Sequence, residues 1–350
     1  MAKVTLEQVA QQAQVSRRTV DRVVHNRGNV KPEVEERVRE ALKELGYERN
    51  KIASALASSK YTRRVCIMYQ KPVSCYYDEK LIEGIREAEK ELRDFGIEVD
   101  KVVVDSADTQ VYCDIMNELA EKGYSGLALR GPDNQQVAEC INRLSKQGIP
   151  VVTFNSDIPG GDRVCFVGQN LYQSGRIAGD IMSRLVRRGE KILIGYGDPQ
   201  YYAHHARVNG FVHELKKAGF EEEDIVIFYT NQEYDVTVAC LEQYFTEVDN
   251  IRGVYMSIEP NSACGDFLMN AKLKKRPFVI CHDIDPNTIS YMKKGIFDFV
   301  IDQDISDQSY QSLLILKDIF CFGTWHYKNT SGSYIYNAAC FGDDEQIMGE

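Results

Sequence analysis

The 350-residue sequence predicts a small all-α head followed by a larger, two-lobed α/β body built on parallel sheets. Three observations predict it. Apolar residues recur at helical spacing up to about Leu45, with capping residues at the turns. From Arg64 onward, short apolar runs of strand length alternate with amphipathic helical stretches. The charge divides at the same place: residues 1–62 hold 12 of the 42 Lys+Arg but only 8 of the 52 Asp+Glu, on a chain of net charge −10. A basic head on an acidic body suggests that only the head meets a polyanion.

The head opens on Thr5-Leu6-Glu7-Gln8, a capping-box pattern, and Leu6, Val9, Ala10 and Ala13 then share one helical face. Ser16 suits the cap of a second helix that turns Val20, Val23 and Val24 inward. The connection is so short that the pair reads as a helix-turn-helix. Pro32 suits the first turn of a third helix, whose stripe is Val34, Val38, Ala41, Leu42 and Leu45, with Gly46 to end it. The outward side of the second helix and the residues after it carry Arg17, Arg18, Thr19, Arg22, His25, Asn26 and Arg27. A solvated charged face would also look like this. However, the helix is bound along one side only and its N-terminal end is free, which is how side chains are presented to base edges in a major groove.

The runs Thr5–Ala10, Val15–Val23 and Val38–Tyr47 resemble the helix-turn-helix of the LacI/GalR repressor family. The resemblance implies operator DNA as a partner. Arg17 and Arg18 occupy the main base-reading positions, Arg22 a third contact, and Ser16, Thr19 and Asn26 belong to the same DNA-binding set. Gln14 stands where the family usually has a turn glycine, and Asp21 where it usually has a serine. The segment Asn50–Ser58, rich in small residues, is too short for a stable helix by itself. A plain linker is one reading. By resemblance it is a hinge helix that orders in the minor groove, with Leu56 as the wedge between base steps. The expected domains are a head at 1–48, a hinge at 49–63 and a ligand-binding and dimerisation body at 64–350.

In the body, strand-like runs occur at Val65–Tyr69, Val102–Val104, Gly126–Leu129, Val151–Phe154, Val164–Val167, Ile192–Tyr196, Ile225–Tyr229, Gly253–Met256, Phe278–Cys281 and Phe299–Ile301. These are many strands for one compact sheet, so two similar lobes are expected. Ligands in such folds bind beyond the carboxyl ends of the strands.

The stretches Phe154–Pro159, Phe166–Asn170, Arg207–Phe211, Cys281–Asp283 and Val300–Asp304 resemble the type I periplasmic-binding-protein-like body that LacI/GalR regulators share with ribose-binding proteins. The candidate ligand residues follow strand ends: Tyr76 and Tyr77, Asn155, Ser156 and Asp157, His205 and Arg207, Glu259 and Asn261, Asp283, and Gln303 at an inter-lobe crossing. Carboxylates, amides and an arginine around aromatic faces suit a polyhydroxyl ligand, because each hydroxyl both donates and accepts. Asn155 and Asp157 also fit as turn formers, and Arg207 as a pin for its own helix. Glu259 and His205 stand where ribose-type relatives carry asparagine and arginine, which implies a ligand other than ribose.

No apolar run is long enough for a membrane span and no signal-peptide core opens the chain, so a cytoplasmic protein without membrane contact is expected. None of the ten cysteines forms a C-x-x-C pair, which favours reduced, mostly buried thiols. No nucleophile elbow, phosphate loop or zinc spacing occurs, so no catalytic residue, cofactor or metal is expected. The competing reading is a cytoplasmic enzyme acting on a small sugar-like substrate. It requires a catalytic pair in the cleft and leaves the basic head without a use. The favoured reading is a homodimeric, ligand-responsive transcriptional regulator sensing a sugar, polyol or sugar acid.

Overall fold

A computed structural model of the chain describes residues 4–24, 30–45, 62–72, 74–106, 108–197, 201–327 and 332–342. Asn26, Leu56 and the hinge up to residue 61 lie outside these residues.

The head is three helices, α1 (Leu6–Gln12), α2 (Arg17–Val24) and α3 (Pro32–Glu44). The capping box forms: Thr5 Oγ1 accepts from the Gln8 backbone N–H at 3.3 Å, and Gln8 Oε1 accepts from the Thr5 N–H at 2.8 Å. Val9, Ala10, Ala13, Val20, Val23, Val38 and Ala41 make the buried core. Gln14, in the turn, adopts φ 53°. That left-handed conformation costs a non-glycine residue roughly 1–2 kcal/mol, and it is what the motif's usual glycine avoids.

The first lobe of the body carries β1 (Arg63–Gln70), β2 (Ile97–Val104), β3 (Gly126–Arg130), β4 (Val151–Phe154) and β5 (Cys165–Val167), in the sheet order β2-β1-β3-β4-β5 with every pairing parallel. Its helices are α4 (Cys75–Arg93), α5 (Thr109–Glu121) and α6 (Gln135–Lys146). Apolar clusters lie on both faces of the sheet, which is why its strands read as continuous apolar runs.

The second lobe carries α7 (Leu171–Leu185), β6 (Lys191–Tyr196), α8 (Tyr202–Lys217), β7 (Ile225–Tyr229), α9 (Tyr234–Glu247), β8 (Ile251–Met256), α10 (Asn261–Asn270), β9 (Phe278–His282), α11 (Pro286–Lys293) and β10 (Phe299–Asp302). The chain then returns to the first lobe as α12 (Ile305–Phe322). There Lys317 Nζ bonds Glu91 of α4 at 2.7 Å. It crosses back to add β11 (Tyr334–Tyr336) antiparallel to β10, giving the order β11-β10-β9-β8-β6-β7. All ten expected strands are present. The eleventh was not expected: it is three residues long, and Tyr334 and Ile335 on it are exposed, so no burial pattern marks it.

Three passages of chain therefore join the lobes. Gln169, 1% exposed, ties them together: its Nε2 donates to the carbonyl oxygens of Asp302 and Gly332, each at 3.3 Å.

Candidate functional site

The carboxyl ends of both sheets face one cleft of about 630 Å³, counted with its open mouth. Two equivalent turns build its floor. Beyond β4, Asn155 turns left-handed at φ 61° while its N–H bonds the Val167 carbonyl at 3.0 Å. Beyond β9, Asp283 does the same at φ 68°, bonded to the Ile301 carbonyl at 3.0 Å. Asn and Asp are the side chains that tolerate this conformation best after glycine. Each turn aims a polar side chain at Gln303 on the crossing between β10 and α12. Asn155 Nδ2 donates to Gln303 Oε1 at 3.1 Å, and Gln303 Nε2 donates to Asp283 Oδ1 at 2.6 Å. Gln308 completes the network, accepting from Asn155 and donating to the Gln303 carbonyl.

Burial raises the Asp283 carboxyl above the usual aspartate range, although Arg207 and the Gln303 bond oppose this. Glu259 reaches across the cleft, and its Oε2 accepts from the Ser74 N–H at 3.1 Å. Burial, reinforced by Asp283 and Asp285, pushes its carboxyl up to about 7. Arg207 Nη1 donates to the Ser257 carbonyl at 3.1 Å, so this residue does pin α8 to a neighbouring loop while also lining the cleft. Arg130, at the end of β3, lies with its guanidinium 5.5 Å from the centre of the Tyr77 ring.

Seven expected cleft residues thus converge there: Tyr77, Asn155, Ser156, Arg207, Glu259, Asp283 and Gln303. Tyr76 lies beside them, lining the adjoining recesses with Tyr77 and Glu259. Two expectations change. Asp157 is turned into its own lobe, where its carboxylate accepts from Thr153 Oγ1, the Ile158 N–H and the Arg163 guanidinium, so it is a structural anchor rather than a ligand residue. His205 stacks edge-on with Tyr202, and it is His204, one position earlier on the helix, that lines the cleft. Asp285 caps α11, accepting from the Thr288 N–H at 2.6 Å. Burial keeps the His282 imidazole neutral, with Nε2 2.8 Å from Tyr255 Oη. Among the described residues, no group of three or more His, Cys, Asp or Glu side chains is placed to hold a metal ion.

Sequence reasoning missed Arg130, Tyr201 and Gln232. The strand-end rule that found the others applies to Arg130, which ends β3, and to Gln232, which follows β7.

On the head, Arg17 and Arg18 are exposed and Arg22 half-exposed. Ser16 Oγ accepts from the Thr19 N–H at 3.1 Å, so these two residues fix the start of α2. The Arg17–Glu7 pair, 3.8 Å apart and exposed on both sides, holds Arg17 only weakly.

Residues 5–62 match the bacterial regulatory proteins of the lacI family, and residues 67–323 match the periplasmic binding protein domain. The chain belongs to the lacI family of bacterial regulatory proteins. It is therefore a DNA-binding transcriptional regulator with a periplasmic-binding-protein-like body. Catabolite control protein A of Staphylococcus epidermidis is 28% identical over 243 residues, covering 69% of this chain and 70% of that one. Two solved structures share the fold of the regulator's body. One, described as a LacI transcriptional regulator from Bacteroides fragilis, has a TM-score of 0.71 at 20% identity and covers 80% of this chain and 98% of its own. The other, an ABC transporter solute-binding protein from Burkholderia graminis in complex with D-arabinose, has a TM-score of 0.71 at 18% identity and covers 79% and 96%. No helix among the described residues is long and apolar enough to cross a membrane.

Proposed function

We propose that this regulator works in the cytoplasm as a homodimer, placing two heads on a near-palindromic operator and binding a small polyhydroxylated effector in the inter-lobe cleft. The observation that carries the reading is the bridge Asn155–Gln303–Asp283, which joins the ends of the two sheets at the crossing where the lobes turn against each other. An effector that competes for or completes these bonds changes the lobe angle, and with it the spacing of the two hinge segments. Coupling of this kind is reciprocal: operator DNA alters effector affinity by the same factor. The aromatic face of Tyr77 beside amides and carboxylates supports a sugar-like ligand, as does the fold shared with an arabinose-bound protein.

On the DNA side, Arg17, Arg18 and Arg22 read bases. Ser16 and Thr19 set the helix N-terminus against the backbone, where its dipole favours phosphate. A thermal-shift screen of sugars, polyols and sugar acids tests the reading. A ligand at a hundred times its Kd stabilises by about 2.7 kcal/mol, and Asp283→Asn should remove the shift. A hit whose shift survives Asp283→Asn, Arg207→Lys and Tyr77→Ala alike would place the effector elsewhere.

A further inference from the structure

We propose that the effector is an anion, a sugar phosphate or sugar acid whose phosphate or carboxylate sits between Arg130 of one lobe and Arg207 of the other at the N-terminus of α8. This rests on the cleft being the effector site and names the class of compound it takes.

Arg207 is 1% exposed, yet its Nε and Nη2 are buried without a hydrogen-bond partner among the described residues. Only Nη1 is engaged, by the Ser257 carbonyl. Arg130 approaches from the opposite lobe, and its Nε is buried and unpartnered in the same way. A buried guanidinium with open donors is costly until an acceptor meets it, and a charged acceptor meets it best.

The start of α8 adds to the same field. Ala203 and His204 of its first turn line the cleft. The Ala203 N–H reaches Ser156 Oγ at 3.3 Å, a neutral acceptor from the other lobe. The N-terminus of a helix favours negative charge.

Among the described residues, the charges lining the cleft are unequal. Arg130, Arg207 and Lys71 stand against Asp283 and Glu259. Asp283 already accepts from Gln303, and Glu259 from Ser74. With its carboxyl pushed up to about 7, Glu259 carries only part of its charge near neutral pH. A neutral sugar fills open donors with hydroxyls but leaves the guanidinium charges poorly balanced, whereas a phosphate or carboxylate does both.

Calorimetry on the full-length protein with matched compounds tests this: D-glucose, D-gluconate and D-glucose 6-phosphate, and D-ribose, D-ribonate and D-ribose 5-phosphate. Inorganic phosphate and citrate serve as anions without a sugar frame. In at least one series the charged member should bind about tenfold or more tighter than its neutral parent. Whether gluconate-type or phosphate-type compounds win identifies the anionic group. Arg130→Gln should erase most of that advantage, and Arg130→Lys, which keeps the charge, should retain most of it. Neutral parents binding as tightly as their charged counterparts throughout would overturn the inference while the sugar-binding reading stands. Citrate or phosphate binding without any sugar derivative would sustain the anion site and remove the polyhydroxyl reading. Absence of binding by every compound would overturn both.

Discussion

Gln303 Nε2 donates to Asp283 Oδ1 at 2.6 Å, and through this bond the crossing between the lobes is held by the residue that follows β9. Asp283→Asn keeps the size of the side chain but turns one oxygen into a donor. We expect effector affinity to fall at least tenfold, about 1.4 kcal/mol. Asp285→Asn, two residues on, should leave it unchanged, since Asp285 spends its carboxylate capping α11. Titration calorimetry on both variants separates the roles, and loss of binding in the Asp285 variant alone would reverse the assignment.

Glu259 links protonation to stability. Its folded carboxyl is raised from 4.5 to about 7, mainly by burial. Between those values the folded state holds a proton that the unfolded chain has released, so stability falls as pH rises through the window and levels above it. Glu259→Gln keeps an oxygen for the Ser74 N–H but cannot ionise. Relative to this variant, the wild-type melting temperature should decline from about pH 4.5 to about pH 7. A difference that stays flat across that range would mean the carboxyl titrates normally.

Arg22 lies half-exposed on α2, beyond the buried Val20 and Val23. Arg22→Ala should weaken operator binding by roughly 1–3 kcal/mol while changing affinity for random DNA much less. Parallel titrations on a selected operator and on scrambled duplex decide it. Equal losses on both would make Arg22 a phosphate contact.

Gly175 on α7 sets the position of Arg207. A Cβ there would lie 1.9 Å from the Arg207 carbonyl oxygen, so Gly175→Ala must push α8 away. Overpacking of this kind costs typically 1–3 kcal/mol. We expect a lowered melting temperature together with weaker effector binding, because the cleft face of α8 moves with its backbone. An alanine variant with unaltered stability and affinity would show that the two helices slide apart freely.

The head and the strands were legible because their signals are local. Thr5 and Gln8 cap one turn of helix between themselves, and Val9, Val20 and Val38 are buried by a periodicity visible in the chain. Parallel strands covered on both faces need continuous apolar residues, so runs such as Val151–Phe154 announce themselves. β11 did not, because an exposed edge strand of three residues has no such demand.

Asp283 and Gln303 could be placed at the ends of such runs, and Asn155 likewise. That Asn155 and Asp283 meet through Gln303, from turns 128 positions apart in residue number, was decided by the two sheets facing each other. The choice between His204 and His205 had the same origin. Adjacent residues on a helix point about 100° apart, and the rotation of α8 is set by its close packing on α7 at Gly175 and Gly210. Asp157 was lost to the cleft because Arg163, six residues later, folds back to claim it. Sequence thus determined the elements and which strand ends carry polar side chains, since these depend on neighbours in the chain. Tertiary structure decided which of those side chains share a cleft and which are spent within one lobe, since that depends on partners that only packing brings together.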